Sequence, residues 1–192
     1  MANYGFYFDC NYCVGCRTCQ IACKEIKKLA IGELFRTISD YETGSFPTPG
    51  YYHYSASCNH CAVPACLAAC PEDAISKDPD NGIVTIDAKT CTACMACIEA
   101  CPYDVPQVIA AKNTVAKCDF CKDLLAKGEN PVCIDACPQF ALEWGDIDEL
   151  KAKYPGAVSD IPILPDSTMT YPSIIINPRP CALDKNFRSK HI

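Results

Sequence analysis

The sequence predicts an α+β chain: two small cysteine-rich modules in tandem, followed by an extended, irregular C-terminal arm. Three observations carry that expectation. Of 192 residues 18 are Cys, and all but Cys181 lie between residues 10 and 137 in tight clusters. Strand-turn-strand signals stand between clusters, as at residues 74–76 and 83–86 around Asp80, Asn81 and Gly82. Beyond Pro155 the chain is proline-rich with little helical periodicity. Hydrophobic residues make up 49% of the chain, but without the cysteines that share falls to about 40%, a lean supply for a core. Something besides packing has to hold this chain together.

In chain order, residues 4–8 read as a strand leading into the first cysteine group. Residues 31–57 are rich in aromatics (Phe35, Tyr41, Phe46, Tyr51, Tyr52, Tyr54), expected as apolar cover that keeps water off the cysteine sites. Residues 146–154 follow Trp144, itself expected in the core, and read as a short helix, acidic at its start and basic toward its end. In the tail, Ile161, Ile163, Leu164 and Ile174 to Ile176 favour an arm lying on a partner over a loose, more polar end.

The cysteines sort into four groups of four. Group one is Cys13, Cys16, Cys19 and Cys23; group two is Cys58, Cys61, Cys66 and Cys70. Group three is Cys91, Cys94, Cys97 and Cys101; group four is Cys118, Cys121, Cys133 and Cys137. A secreted disulfide framework scatters its cysteines, and neighbouring C-x2-C residues seldom bridge each other. Zinc also takes four thiolates, but from two knuckles drawn from separate places rather than from three consecutive C-x2-C steps. Group three with Pro102 reads C-x2-C-x2-C-x3-C-P, the bacterial iron-sulfur run whose fourth cysteine ligates the other cluster of a pair. Thiolates at i, i+3 and i+6 let one tight loop wrap three corners of a cube. The fourth cysteine leaves on a helical turn, which proline then redirects at Pro71, Pro102 and Pro138. Sixteen cysteines therefore predict four 4Fe-4S clusters.

The short connection between groups two and three makes them partners in a ferredoxin-like module at residues 52–112. Groups one and four then form a discontinuous module from 1–30 and 113–150, with 31–51 as connector and 151–192 as the arm contacting a partner subunit. Exchange of fourth ligands within each pair gives four sites. Site I is Cys13, Cys16, Cys19 and Cys137. Site II is Cys23, Cys118, Cys121 and Cys133. Site III is Cys58, Cys61, Cys66 and Cys101. Site IV is Cys70, Cys91, Cys94 and Cys97. Cys10 continues the ladder of x2 spacings and competes for the register of group one, but the x3 step to Cys23 favours leaving it out. Cys181 is expected as a small buried apolar residue.

His53 and His60 are expected at the surface or supporting a site, since cysteines already satisfy the irons. No phosphate loop or nucleophile-base pair stands out, so no catalytic residue is assigned. The balance of 17 Lys+Arg against 23 Asp+Glu, a net charge of -6, argues against a nucleic-acid partner. Arg17, Lys24, Lys112, Lys117 and Lys122 are the cations expected to offset the field of the clusters. No apolar run is long enough to span a bilayer. Residues 1–9 carry no export signal, which leaves two expected locations: the cytoplasm, or export in folded form alongside a signal-bearing partner.

These motifs resemble a known family. Cys13-Val14-Gly15-Cys16-Arg17-Thr18-Cys19 running on to Cys23-Lys24, Cys58-Asn59-His60-Cys61 with Pro64 and Cys66, Cys101-Pro102-Tyr103-Asp104-Val105-Pro106, and Lys117-Cys118-Asp119-Phe120-Cys121 leading to Cys137-Pro138 are similar to the four-cluster electron-transfer (beta or B) subunits of the dimethyl sulfoxide reductase family of molybdopterin oxidoreductases. The resemblance covers residues 4–150, more weakly Thr170-Tyr171-Pro172-Ser173. It implies a non-catalytic subunit relaying electrons between a molybdopterin catalytic subunit and a redox partner, such as a membrane-anchor or quinol-oxidising subunit. Nitrate reductase-like members carry Trp at the position of Cys94 and a three-iron cluster there; Cys94 implies four iron atoms at every site. Electron-transfer subunits of hydrogenase or carbon monoxide dehydrogenase complexes, and free polyferredoxins, are the alternative functions.

Overall fold

The computed structural model describes residues 2–190. In chain order it contains β1 (Tyr4–Asp9), α1 (Thr18–Ile26), β2 (Arg36–Thr43), β3 (Gly50–Ser57), α2 (Ala65–Ala68), β4 (Ile75–Lys77), β5 (Val84–Ile86), α3 (Ala96–Ala100), β6 (Gln107–Ile109), β7 (Thr114–Ala116), α4 (Lys122–Leu125), α5 (Val132–Asp135), β8 (Leu142–Asp146), α6 (Ile147–Lys153), β9 (Ile174–Asn177) and β10 (Phe187–Lys190). Strands and short helices mix as an α+β fold. The sheets run β8-β1-β9 and β10-β2-β3, with β4-β5 and β6-β7 as separate hairpins.

Strand β1 is apolar on both faces and therefore sits at the centre of its sheet. Phe6 and Phe8 enter the main core with Tyr54, Leu142 and Ile176. Tyr7 enters a second cluster with Ile147, Leu150 and Ile175, its ring stacked 3.7 Å from that of Tyr154. β8 pairs antiparallel with β1, and β9 pairs parallel with it from Phe6↔Ile174 to Asp9↔Asn177. A β-carbon at position 5 would strike the Ser173 carbonyl, so Gly5 lets the backbone leading into β9 come close. Helix α6 starts where Asp146 caps it, the carboxylate accepting from the N–H groups of Asp148 (2.9 Å) and Glu149 (3.4 Å).

Two regions differ from the sequence expectation. The connector at 31–51 is half of a long hairpin, β2–β3, in register from Arg36↔Ser57 to Thr43↔Gly50. Its period of two was concealed because two of the inward residues of β2, Arg36 and Asp40, are charged; both are buried beside Ile38. Tyr52, Tyr54 and Phe35 are buried as cover, whereas Phe46 is 93% exposed at the hairpin tip and Tyr51 also faces outward. The tail runs extended and irregular, with β9 and β10 as its only strands among the described residues. Its apolar residues, however, serve the chain's own core. Ile161, Ile174, Ile175 and Ile176 are buried, and Ile163 and Leu164 pack against the main cluster. An apolar triplet fits a strand covered on both faces as well as it fits a partner-facing arm.

Helix α1 packs on α5 and α2 on α3, bringing group one to group four and group two to group three. The module boundaries drawn at 51/52 and 112/113 each fall inside a hairpin, β2–β3 and β6–β7. Among the described residues no helix is long and apolar enough to cross a membrane.

Candidate metal centres

The first C-x2-C step of every group bends the same way. The residue before the second cysteine has a left-handed backbone in all four groups: Gly15 (φ 69°), His60 (44°), Ala93 (56°) and Phe120 (61°). Only the first is glycine; the others hold a conformation costing an L residue about 1 kcal/mol or more. A left-handed residue inside a tight loop turns successive N–H groups toward one point, the concave nest that receives an anion. A second repeat follows the Cys-Pro steps. Asp73, Asp104 and Phe140, each three residues past the fourth cysteine, share φ of 49° to 51°. Group one has no proline after Cys23, and the matching Ile26 simply ends α1.

These loops enclose cavities lined by four cysteines each. One is lined by Cys58, Cys61, Cys66 and Cys101, another by Cys13, Cys16, Cys19 and Cys137, and a third by Cys70, Cys91, Cys94 and Cys97. Among the described residues no group of three or more His, Cys, Asp and Glu side chains is arranged to hold a single metal ion. The thiols are set wide around hollow space, which fits a multi-atom group such as a cubane. The remaining four, Cys23, Cys118, Cys121 and Cys133, are all buried and lie within electrostatic reach of one another. Cys10 and Cys181 line none of the three cavities. Cys10 is fully buried in the main core; Cys181 is half-buried, its Sγ 3.8 Å from the Tyr51 carbonyl oxygen.

Burial pushes the Cys13 thiol up to about 11, Cys23 and Cys66 to about 12, and Cys118 well above the ordinary value. Such thiols stay protonated without metal, so loading them releases protons. Exposed Cys16 goes the other way, because the Thr18 hydroxyl, 3.3 Å away, and backbone N–H groups favour its thiolate. The N–H groups of Val115, Phe120 and Ala141 point at the sulfurs of Cys91 (3.4 Å), Cys118 (3.4 Å) and Cys137 (3.3 Å). They are donors of the kind that steady charged sulfur.

Buried cations stand between the sites. Lys117 is 5% exposed, donates to the carbonyls of Val84 and Cys118, and feels the thiols of Cys58, Cys118 and Cys66. Arg36 is 2% exposed, with Cys133, Cys19, Cys118 and Cys23 in electrostatic reach. Burial opposes the charge of both groups, and these sulfurs, once in their thiolate form, outweigh it. Lys24 instead donates to the carbonyls of Ala30 and Glu33. At site I, Arg17 pairs with Asp40 (2.6 Å), whose other oxygen meets His53 Nδ1 at 2.5 Å.

His60 is fully buried, so the surface alternative fails for it. Burial, then Lys117 and Lys77, hold its pKa well below the ordinary value. Its Nδ1 accepts from the Val84 N–H at 3.0 Å, so the proton sits on Nε2, which has no partner among the described residues although His60 lines the site III cavity. Arg36 Nη2 is another buried donor without a partner among the described residues. Both are donors awaiting an acceptor, as a sulfide-bearing group would provide. Arg36 was missed in the sequence because an arginine inside a strand, far in sequence from any cysteine, gives no spacing signal.

Residues 50–147 match a family model described as a 4Fe-4S dicluster domain, and residues 11–26 match one described as a 4Fe-4S binding domain. Cysteine loops, hollow sites and these matches define an iron-sulfur protein of the 4Fe-4S class. Similarity over the full length is more particular. The protein is 42% identical to the B subunit of the anaerobic dimethyl sulfoxide reductase of Haemophilus influenzae, covering 93% of this sequence and 90% of that one. It is 40% identical to the Escherichia coli strain K12 protein of the same name, over 92% of this sequence and 89% of the other. It is also 39% identical to the protein NrfC of Escherichia coli strain K12, over 77% and 67%. This chain therefore belongs to the family of dimethyl sulfoxide reductase B subunits, the iron-sulfur electron-transfer subunits that its motifs resemble.

Proposed function

We propose that this chain carries four 4Fe-4S clusters, at sites I to IV as grouped above, and relays single electrons between a molybdopterin catalytic subunit and a redox partner such as a membrane-anchor or quinol-oxidising subunit. The observation that carries this reading is the fourfold repeat of one left-handed loop, with three of its four cysteine sets each around a separate cavity. Bound clusters supply the one-electron chemistry. The chain's residues hold them, exclude water and set the charge around them; it performs no bond chemistry itself.

Shared neighbours support an order for the relay. Arg36 touches the fields of Cys19 and Cys133, linking sites I and II. Lys117 lies between Cys118 and Cys58, linking II and III. Cys66, Cys70, Cys91 and Cys97 pack into one apolar cluster with Val84 and Val115, linking III and IV. Of the 18 cysteines only Cys16, in site I, and Cys94, in site IV, are exposed. The two ends of that order are thus the places where electrons enter and leave. Anaerobic co-purification tests the reading: the protein is expected to bring down a molybdopterin-containing subunit and to show broad absorption near 400 nm that bleaches on reduction. A colourless, monomeric protein would contradict it.

A further inference from the structure

The guanidinium of Arg36 is a permanent cation in the core, reached by no sequence motif and not required as a ligand. It is held from strand β2, where Nη1 donates to Ser55 Oγ at 2.9 Å and to the Ser55 carbonyl at 3.4 Å. Ser55 Oγ in turn lies 3.8 Å from Cys19 Sγ, a site I residue. The guanidinium carbon Cζ lies over the Phe6 ring, 4.9 Å from its centroid, and Phe6 stacks at 4.3 Å on Phe120, the left-handed residue beside Cys121 of site II. Nη2 is buried with no partner among the described residues. A bare arginine N–H in a core carries the full desolvation penalty of a charged donor, so a position like this calls for an acceptor.

We propose that Arg36 is a shared positioning cation for sites I and II, one fixed positive charge that favours the electron-bearing state of both and so keeps their potentials together. This rests on the four-site reading above. Each reduction adds negative charge, and a cation in a dry, low-dielectric setting favours that added charge more strongly than an exposed one could. Because Arg does not titrate in proteins, the bias is constant with pH.

The test uses the purified, anaerobically prepared complex, with cluster potentials followed by EPR during redox titration and with iron and sulfide counted on each preparation. Arg36→Gln is expected to move two of the four midpoints downward together, by about tenfold in the reduced-to-oxidised ratio at fixed potential, or about 59 mV for a one-electron couple. The other two should stay in place, and Arg36→Lys should restore most of both shifts. Ser55→Ala keeps the charge but frees the guanidinium, and should move the same pair by less; it decides the matter if Arg36→Gln does not assemble. Unchanged midpoints, a shift confined to one cluster, or no restoration by Lys in fully loaded protein would overturn the proposal. Wild-type protein lacking the clusters would instead overturn the four-site reading, and the iron count tells the two failures apart.

Discussion

Sites II and IV are built by the same loop and meet water differently. Site II has Cys23, Cys118, Cys121 and Cys133 all buried, with Arg36 and Lys117 close by. Site IV has Cys94 exposed, Cys70 and Cys91 half-buried and only Cys97 buried. The charged neighbour that bears on Cys91 is acidic, Glu72. Water at the surface can answer a site's charge, and in the core a fixed cation has to do so. The chain accordingly buries its two most enclosed cations near the inner cysteine sets, while apolar Ile75 and Val115 line the cavity of site IV.

The largest expected effect breaks that contrast outright. Cys118→Ser should abolish folding, because the four cysteines proposed for site II are all buried and come from both halves of the chain. Cys94→Ser should lose iron at one site and leave the remaining fold intact. Anaerobic iron content together with far-ultraviolet circular dichroism measures both, and equal outcomes for the two variants would erase the distinction. Next in size, Lys117→Met leaves the Val84 and Cys118 carbonyls without their ammonium donor. It should cost about 2 kcal/mol in holo-protein stability, whereas Glu72→Gln near site IV should fall within about 0.5 kcal/mol. Denaturant unfolding under anaerobic conditions compares them.

A smaller effect is expected with pH. Asp9 is buried, which by itself raises its pKa, but hydrogen bonds from Asn177 (2.9 Å), Tyr7 (2.8 Å) and the Asn11 N–H (2.7 Å) leave it below the ordinary value. A carboxylate with a depressed folded-state pKa contributes stability above its unfolded pKa of about 3.9 and loses that contribution as pH falls through the lower folded value. Asp9→Asn should therefore flatten the acid limb of the stability profile as pH falls below the ordinary carboxylate value of about 3.9 and leave the site potentials alone. An unchanged acid limb would show that the Asp9 hydrogen bonds do not govern it.

The cysteine motifs that mark the family stand out in the sequence because their spacing is written in the covalent chain. Strand β1, hairpin β4–β5 and helix α6 were legible for a similar reason: each is local and carries its own period, turn or cap. The hairpin β2–β3 was not, since Arg36 and Asp40 face inward and disguise the alternation. Their burial makes sense only with partners from other segments, a tertiary fact: cysteine sulfurs for Arg36, and the Arg17 and His53 side chains for Asp40. Ile174 to Ile176 showed that something apolar would cover them, but an unbroken apolar run does not say whether the cover is a partner or the chain's own β1. His60 likewise looked like a bystander in sequence, although the fold buries it completely against site III.

The central claim is four clusters on one short chain, and a direct measurement of it is the iron and acid-labile sulfide content of anaerobically purified protein. The account predicts about 16 of each per chain. A content of about eight, or stoichiometric zinc without sulfide, would contradict it.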